Sequence, residues 1–189
     1  MLDRLFRRRR EALAVAEFFV TIVDQARHPA FYRDLGVPDT LDGRFDMVVL
    51  HVFLVMRRLK GQGPAAAERS RRLYEAMIDN FEKSLMEMGV GDTGIGRRIK
   101  TMARGMAGRI QVYDRALAES DDRALEVALD NNLYGTVPDV DPAHLAALVG
   151  YVRREAAGLE AQALERLLAG EIRFGEPPRP AASGTPAVR

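Results

Sequence analysis

Residues 36–60 read GVPDTLDGRFDMVVLHVFLVMRRLK, and this stretch decides the fold class. Its middle, residues 45–56, is almost wholly apolar, and its valines give it the composition of a strand. Its length favours a helix, because about 16 residues pass without Gly or Pro whereas strands usually run 4–8 residues. Thr40 can cap the start, and the cations near the end of the stretch suit the carbonyl end of a helix.

A helix that is apolar on nearly all sides must be buried on nearly all sides. The stretch is too short to cross a bilayer, which needs about 20 apolar residues, and Asp46 and His51 interrupt it. We therefore expect an all-α protein, a single irregular bundle of about six helices packed around this buried central helix.

The rest of the chain divides at helix-breaking Gly and Pro residues. We predict further helices at residues 2–27, 65–88, 97–118, 121–133 and 142 to about 169, with loops at residues 31–42, 61–64 and 89–96. The predicted domains are an N-terminal basic amphipathic helix over residues 1–30, a helical domain over residues 31–174 and a Pro- and Ala-rich tail over residues 175–189. We expect this tail to be disordered.

The composition is that of a globular protein of one domain. Its 189 residues are 47% hydrophobic and 29% charged, and cysteine is absent, which excludes disulfides and thiolate metal sites. A net charge of +1 gives no overall attraction to nucleic acid or anionic lipid, so any such affinity must come from a local patch. Glu11 and Glu17 interrupt what would be the apolar core of a secretory signal.

The helix predicted over residues 97–118 is apolar on one side. The opposite side and its flanks carry five cations at helical spacing: Arg97, Arg98, Lys100, Arg104 and Arg109. No acidic residue lies between Asp92 and Asp114 to neutralise them. These cations form either a solvated polar face or a docking surface for an anionic partner, such as ribosomal RNA, lipid headgroups or an acidic protein.

Glycines lie both before this helix and within it. Gly89, Gly91 and Gly94 fit G-x-G-x-x-G, but that motif needs a preceding strand and the preceding segment is predicted to be helical. We therefore interpret it as a turn and assign no nucleotide. Gly105 and Gly108 each lower helix stability by about 1 kcal/mol relative to Ala, so we expect a neighbouring backbone to pack closely there.

The N-terminus is a second cationic segment, in which Leu and Phe alternate with basic residues. Its cations are Arg4, Arg7, Arg8, Arg9 and Arg10. Such a segment can lie on an anionic membrane surface, at about 1 kcal/mol per cation. The alternative is a solvated basic terminus.

The sequence offers no catalytic constellation and no metal site. Histidine occurs only at positions 28, 51 and 144, and no H-E-x-x-H pair is present. His51, inside the apolar stretch, is interpreted as a hydrogen-bonded core histidine. Asp39, Asp42 and Asp92 fit turn and capping positions, and only their convergence with His51 in a pocket would favour a small enzyme. We expect no enzyme, no cofactor and no small-molecule substrate.

Four segments of the chain share their residues and spacing with a known family. They are GVPDTLDGRFDMVVLHVFLVMRRL (residues 36–59), MEMGVGDTGIGRRIKTMARGMAGRIQVYDRAL (residues 86–117), ALDNNLYG (residues 128–135) and LLAGEIRFG (residues 167–175). They resemble the ubiquinol–cytochrome c chaperone family, and the resemblance covers residues 31–174. That family includes mitochondrial factors that support synthesis and assembly of cytochrome b in the bc1 complex near the ribosomal tunnel exit, and shorter bacterial members. We expect the bacterial form, since no long targeting extension precedes the domain.

The resemblance implies a non-enzymatic assembly chaperone for cytochrome b or the bc1 complex, with cytochrome b or another bc1 subunit as its client. It implies work in the cytoplasm, in peripheral contact with the inner face of the bacterial inner membrane, with the ribosome as a further partner. The cationic face would hold an anionic surface while an apolar groove contacts a nascent helix. The methionines that would line that groove are Met77, Met86, Met88, Met102 and Met106, and the alternative for methionines at these spacings is ordinary core packing. The alternative is a ribosome- or RNA-binding adaptor at the membrane without chaperone activity.

Overall fold

The computed structural model of the chain describes residues 15–87, 89 and 92–180. Its helices are α1 (residues 15–26), α2 (Pro29–Arg33), α3 (Leu41–Leu59), α4 (Pro64–Glu87), α5 (Asp92–Ala118), α6 (Arg123–Leu133), α7 (Pro142–Glu160) and α8 (Leu164–Ala169). No strand occurs within the described ranges. The predicted all-α fold class is therefore confirmed.

Helix α3 is the centre of the bundle. The side-chain oxygen of Thr40 caps its start by accepting a hydrogen bond from the backbone N–H of Gly43 at 3.1 Å. Nearly every residue from Phe45 to Leu59 is buried, and α3 packs against α4, α5, α6 and α7. The prediction of a buried central helix is confirmed, and burial by four neighbours explains why α3 has almost no polar face.

The helices differ from the sequence prediction most at three places. Helix α5 begins at Asp92 rather than at residue 97, so part of the glycine-rich segment is helical. Part of the predicted loop after residue 30 belongs to the short helix α2, where Pro29 occupies the first turn and the Nδ1 atom of His28 accepts a hydrogen bond from the N–H of Ala30. The last predicted helix is two helices, α7 and α8, separated by residues 161–163.

Arg58, near the end of α3, holds the chain at the break between α7 and α8. Its Nε donates a hydrogen bond to the carbonyl oxygen of Leu159 at 2.9 Å, and its Nη2 donates to the carbonyl oxygen of Gln162 at 3.1 Å. The residue is buried, and its charge lies at the negative end of the α7 dipole. The side chain therefore links the central helix to the C-terminal end of α7.

We expect Arg58→Met to lower the free energy of unfolding by about 2–3 kcal/mol, because two carbonyl groups lose a charged donor in a buried place. Urea unfolding followed by circular dichroism measures this change. Lys60→Met is the matched control, since the exposed Lys60 binds the Asp114 carboxylate at 2.8 Å at the surface and should contribute less than about 1 kcal/mol. Equal losses in the two variants would contradict this role of Arg58.

The two ends of the described chain pack on the same core. In α1, Phe18, Ile22 and Ala26 are fully buried and belong to the cluster built around α3. The earlier part of the predicted N-terminal helix lies outside the described residues. At the other end, residues 170–180 have no regular secondary structure, and residues 181–189 of the predicted tail lie outside the described part.

Candidate partner-binding surface

Four of the predicted cations lie exposed along the first half of α5. We call Arg97, Arg98, Lys100 and Arg104 the α5 surface. The opposite side of the helix anchors it, because Ile95, Met106 and Tyr113 there are buried. The amphipathic pattern of the sequence thus places these cations on the outside of the bundle.

The α5 surface differs from the cations of α4 in having no acidic partner among the described residues. On α4, Arg71 binds Glu68 at 2.7 Å, and Arg72 binds the same carboxylate at 2.7 Å. By contrast, no ion pair joins any of the four α5 cations to another described residue. Their positive charge is therefore available to an anionic partner.

Arg109 does not belong to this surface, although the sequence pattern grouped it with the other four. It lies about 120° around the helix from Arg97, and its Nη2 approaches the Asp46 carboxylate at 3.0 Å. Its guanidinium also lies over the Phe45 ring, 5.9 Å from the ring centre. A Cβ at Gly105 would stand 2.7 Å from the Arg109 guanidinium, so this glycine makes room for that side chain.

The expectation of a closely packed backbone at the α5 glycines is therefore wrong. At Gly105 the neighbour is the side chain of Arg109, four residues later on the same helix. At Gly108 nothing lies within 4 Å of the place that a Cβ would occupy. Gly105 allows a long cation to turn inward, whereas nothing in the structure explains Gly108.

A pocket of about 610 Å³ lies where the start of α3, the inner side of α5 and the end of α6 meet. Its polar lining consists of Thr40, Asp42, Asp46, Arg109, Asn131, Asn132 and Thr136. Its wall depends on a close contact, because a Cβ at Gly43 would stand 2.0 Å from the carbonyl oxygen of Pro38. The loop before α3 therefore lies directly against the backbone of the helix that it precedes.

Asp46 is the unusual group of this pocket, since it is a carboxylate that lies buried in the central helix. Burial raises the pKa of Asp46 to about 7, although the Arg109 charge opposes the rise. Asp46 Oδ1 contacts Arg109 but has no well-aligned hydrogen bond within the described part of the chain. Sequence reasoning missed this pair, although an Asp in an apolar helix requires a partner and Gly105 lies one turn before Arg109.

His51 is confirmed as a hydrogen-bonded core histidine. Its Nδ1 lies 2.8 Å from the carbonyl oxygen of Met47, to which it donates, and its Nε2 accepts a hydrogen bond from the Tyr151 hydroxyl at 2.7 Å. Burial lowers the pKa of His51 to about 4, so the ring is neutral near pH 7. Asp39 binds Arg44 at 2.6 Å on the surface. It is not one of the hydrogen-bond partners of this buried histidine.

The sequence model of the ubiquinol-cytochrome C chaperone family matches residues 33–174. The chain belongs to this family. It is similar to the ubiquinol-cytochrome-c reductase complex assembly factor 1 of Xenopus laevis, with 29% identity over 161 residues that cover 85% of this chain and 80% of that protein. The human protein of that name is 27% identical over 161 residues, which cover 85% of this chain and 53% of that protein.

Two further relatives extend the comparison to yeast and to a solved structure. The mitochondrial protein CBP3 of Saccharomyces cerevisiae is 28% identical over 151 residues, which cover 78% of this chain and 44% of that protein. The chain thus spans about half the length of its human and yeast relatives. The crystal structure of the Cbp3 homolog from Brucella abortus is similar at 35% identity and a TM-score of 0.81, over 93% of this chain and 97% of that chain.

The match to the ubiquinol-cytochrome C chaperone family spans α3 to α8 and reaches Phe174. It includes the α5 surface, the pocket with Asp46 and the first residues after α8, up to Phe174. Helix α1 lies before it, although α1 packs on the same core. The family segments of α3, α5 and α6 all contribute residues to the pocket with Asp46.

The structure bears differently on the other predictions, which concern the methionine groove, the N-terminal cations and the membrane. The prediction of a methionine-lined groove is wrong for Met77 and Met106, which are fully buried in the core, whereas Met86 is exposed. The N-terminal cations Arg4, Arg7, Arg8, Arg9 and Arg10 lie outside the described residues. Among the helices that the structure describes, none combines the length and apolar character needed to cross a membrane.

Proposed function

We propose that this chain is a non-enzymatic assembly chaperone for the ubiquinol–cytochrome c reductase (cytochrome bc1) complex, with cytochrome b or another subunit of that complex as its client. Family membership carries the proposal, because relatives that align with most of this chain are named as assembly factors of that complex. The chaperone acts by binding its client and not by transforming it.

The α5 surface supplies the charge for this binding. Its four exposed cations attract an anionic surface and, because they are solvated, they do so in a way that added salt weakens. At the cytoplasmic side of the inner membrane, such a surface can hold the protein close to the site where a membrane subunit is inserted. The N-terminal cations at positions 4 and 7–10 add to the attraction.

Deletion of the gene in the source organism tests the proposed function. We expect membranes of the deletion strain to lose most of their cytochrome b and bc1 content, measured by reduced-minus-oxidised difference spectra. The wild-type gene should restore both signals. Unchanged cytochrome b and bc1 content in the deletion strain would contradict the proposed role.

The α5 surface is tested in the same strain by complementation with Arg97→Glu combined with Arg104→Glu. We expect this variant to restore less than about half of the cytochrome b signal, because two attractive charges become repulsive. Arg27→Glu combined with Arg123→Glu is the matched control, since it reverses two exposed charges elsewhere and changes the net charge equally. Full restoration by the α5 variant would mean that its cations form only a solvated face.

The second candidate function is a ribosome- or RNA-binding adaptor without chaperone activity, and the same unpaired cations favour it. It predicts co-sedimentation with ribosomes that weakens steeply as salt increases and is lost in the α5 variant. It also predicts a deletion strain with normal cytochrome b. Loss of cytochrome b without any ribosome association would favour the chaperone over the adaptor.

A further inference from the structure

The segment that follows α8 lies on the protein in an extended form and is held almost entirely by side chains. Gly170, with a φ of 93°, ends α8, and residues 171–176 then run without regular secondary structure. We call residues 171–176 the strap. Within the described chain, the backbone of residues 172–176 makes no hydrogen bond to another backbone group.

Side chains bind the strap backbone at Arg173, at Gly175 and at Glu176, whose carbonyl oxygen accepts a hydrogen bond from Arg154 Nη2 at 2.6 Å. The N–H of Arg173 donates to Gln162 Oε1 at 3.0 Å, and its carbonyl oxygen accepts from Gln162 Nε2 at 2.8 Å. The N–H of Gly175 donates to Glu155 Oε2 at 2.8 Å, and its carbonyl oxygen accepts from Gln25 Nε2 at 2.9 Å. On the strap, these contacts involve only main-chain groups. The same side chains could therefore bind the backbone of any extended peptide.

The side chains of the intervening strap residues point into the protein. Ile172 is buried, and the half-buried Phe174 packs its ring edge-on against His51, with the ring centres 5.5 Å apart. This alternation matches an extended chain, whose successive side chains point to opposite sides. The site therefore has two apolar positions for alternate side chains and paired polar groups for the backbone between them.

The groups that bind the strap are fixed from behind by the core. Gln25 also donates to the Tyr151 hydroxyl at 2.9 Å, and Tyr151 in turn donates to the buried His51. Glu155 is buried and accepts a second hydrogen bond from Arg154 at 3.0 Å. Gln25 and Glu155 each keep a hydrogen-bond partner on α7 when the strap leaves, so their positions do not depend on the strap alone.

We propose that the strap occupies a peptide-binding groove, and that the ligand of this groove is an extended segment of an unfolded polypeptide with large apolar side chains at two alternate positions. The strap is then an intramolecular competitor that such a segment must displace. This inference rests on the proposed chaperone function and adds to it the form in which a client is bound. Backbone recognition with two apolar positions suits a chaperone, because it selects unfolded chain over folded surface.

The strap competes strongly because it is attached. A tethered ligand has an effective concentration of the order of millimolar, so a free peptide binds the wild-type protein only in proportion to the fraction of open groove. A substitution that weakens the strap without touching the groove should therefore increase the affinity for an added peptide. Gly175→Ala does this, because its Cβ would stand 2.7 Å from Glu155 Oε1 and 3.3 Å from Arg154 Nε.

The probe is a fluorescein-labelled synthetic peptide with the sequence of residues 170–177, GEIRFGEP, and the readout is fluorescence anisotropy with the full chain. We expect Gly175→Ala to bind the peptide at least about tenfold more tightly than the wild type. A control peptide in which the Arg and Phe positions are exchanged loses the alternation and should bind at least about tenfold more weakly. Arg173→Ala is the matched control on the strap, since the exposed side chain is removed and the backbone contacts stay.

A second pair of variants separates groove from strap. Ile172→Ser combined with Phe174→Ser empties both apolar positions and should also expose the groove to the peptide. Gln162→Ala in the Gly175→Ala background should lower the peptide affinity at least about fivefold, because one backbone clamp is lost. If the double serine variant does not fold, Gly175→Ala alone decides the result.

Hydrogen exchange in the wild-type protein gives an independent measurement. We expect the amides of Arg173 and Gly175 to exchange through local opening, well before the buried amides of α7. Exchange of these amides only together with α7, or peptide affinities equal in the wild type and in Gly175→Ala, would overturn the proposal. A deletion strain that loses cytochrome b would then still support the chaperone function, so the two failures are distinguishable.

Discussion

Gly43→Ala should unfold at a much lower urea concentration than the wild-type protein, with a loss in the free energy of unfolding of about 3 kcal/mol or more. The added Cβ would stand 2.0 Å from the carbonyl oxygen of Pro38, which is far inside the contact distance of the two atoms. The neighbour is backbone and not the mobile end of a side chain. The loop before α3 must therefore move, and with it the wall of the pocket that contains Asp46.

A loss of stability in Gly43→Ala would point clearly to the contact with Pro38, because helix propensity alone favours alanine. Replacing a helical glycine by alanine normally stabilises a helix by about 0.5–1 kcal/mol. Gly150→Ala in α7 is the matched control, since nothing lies within 4 Å of its added Cβ, and it should raise stability by that amount. Equal unfolding midpoints for the two variants would contradict the close contact between Gly43 and Pro38.

The fold class was predictable from the sequence because the main signal is local. The apolar run of residues 45–56, its Thr40 cap and its closing cations all belong to one segment, and together they specify a buried helix. The same holds for the α5 surface, since charge on one side and apolar residues on the other follow from helical spacing alone. No information about the rest of the chain is needed for either prediction.

The inward position of Arg109 could not be predicted in this way. Its place on α5 is between the apolar and the charged side, and only the partner on α3 decides which way the side chain turns. The break between α7 and α8 is similar, because the Arg58 side chain that stabilises it comes from a helix about 100 residues earlier. Contacts between distant segments have no periodic signature in the sequence.

The position of the strap at the C-terminal end also could not be predicted, because it depends on contacts with distant segments. Composition predicts a tail from residue 175, since Pro, Ala and Gly accumulate there. The structure instead fixes the backbone of Gly175 between Gln25 and Glu155, which come from α1 and α7. A side chain that binds the backbone of another segment leaves no trace in that segment's composition.

Asp46 and His51 lie five residues apart on α3, and burial makes them act on stability with opposite dependence on pH. With the pKa of Asp46 raised to about 7, the folded protein keeps a proton that the unfolded chain gives up near pH 4. The unfolded state therefore becomes more favourable as pH rises from about 4 to 7. From Asp46 alone, the free energy of unfolding falls by about 3 kcal/mol across this window and by about 4 kcal/mol over the full titration.

His51 has the reverse effect in nearly the same window. Burial lowers the pKa of His51 to about 4 in the folded protein. Between about pH 4 and 6.5, the ring is therefore neutral in the folded protein but protonated in the unfolded chain. Stability from this group is therefore complete above pH 7 and is lost as pH falls toward 4, by about 3 kcal/mol. The two contributions nearly cancel, so together they give the wild-type protein a weak pH dependence between these values.

Each single substitution should reveal the group that remains. We expect the free energy of unfolding of Asp46→Asn to rise with pH by about 3 kcal/mol from pH 4.5 to 7.5, because only His51 then titrates. We expect the free energy of unfolding of His51→Gln to fall by about 3 kcal/mol over the same range, because only Asp46 of this pair then titrates. Urea unfolding at constant ionic strength, at several pH values in this range, measures both slopes.

The test compares how the free energy of unfolding changes with pH in each variant, and not its absolute value at any one pH. Asp46→Asn leaves Arg109 without a charged partner, and His51→Gln loses the hydrogen bond to Met47, but neither loss varies with pH, since a guanidinium stays charged throughout this range. Asp79→Asn, which removes an exposed carboxylate on α4, should give a curve parallel to that of the wild type. Parallel curves for all four proteins would mean that neither Asp46 nor His51 is held in a protonation state different from that of the unfolded chain.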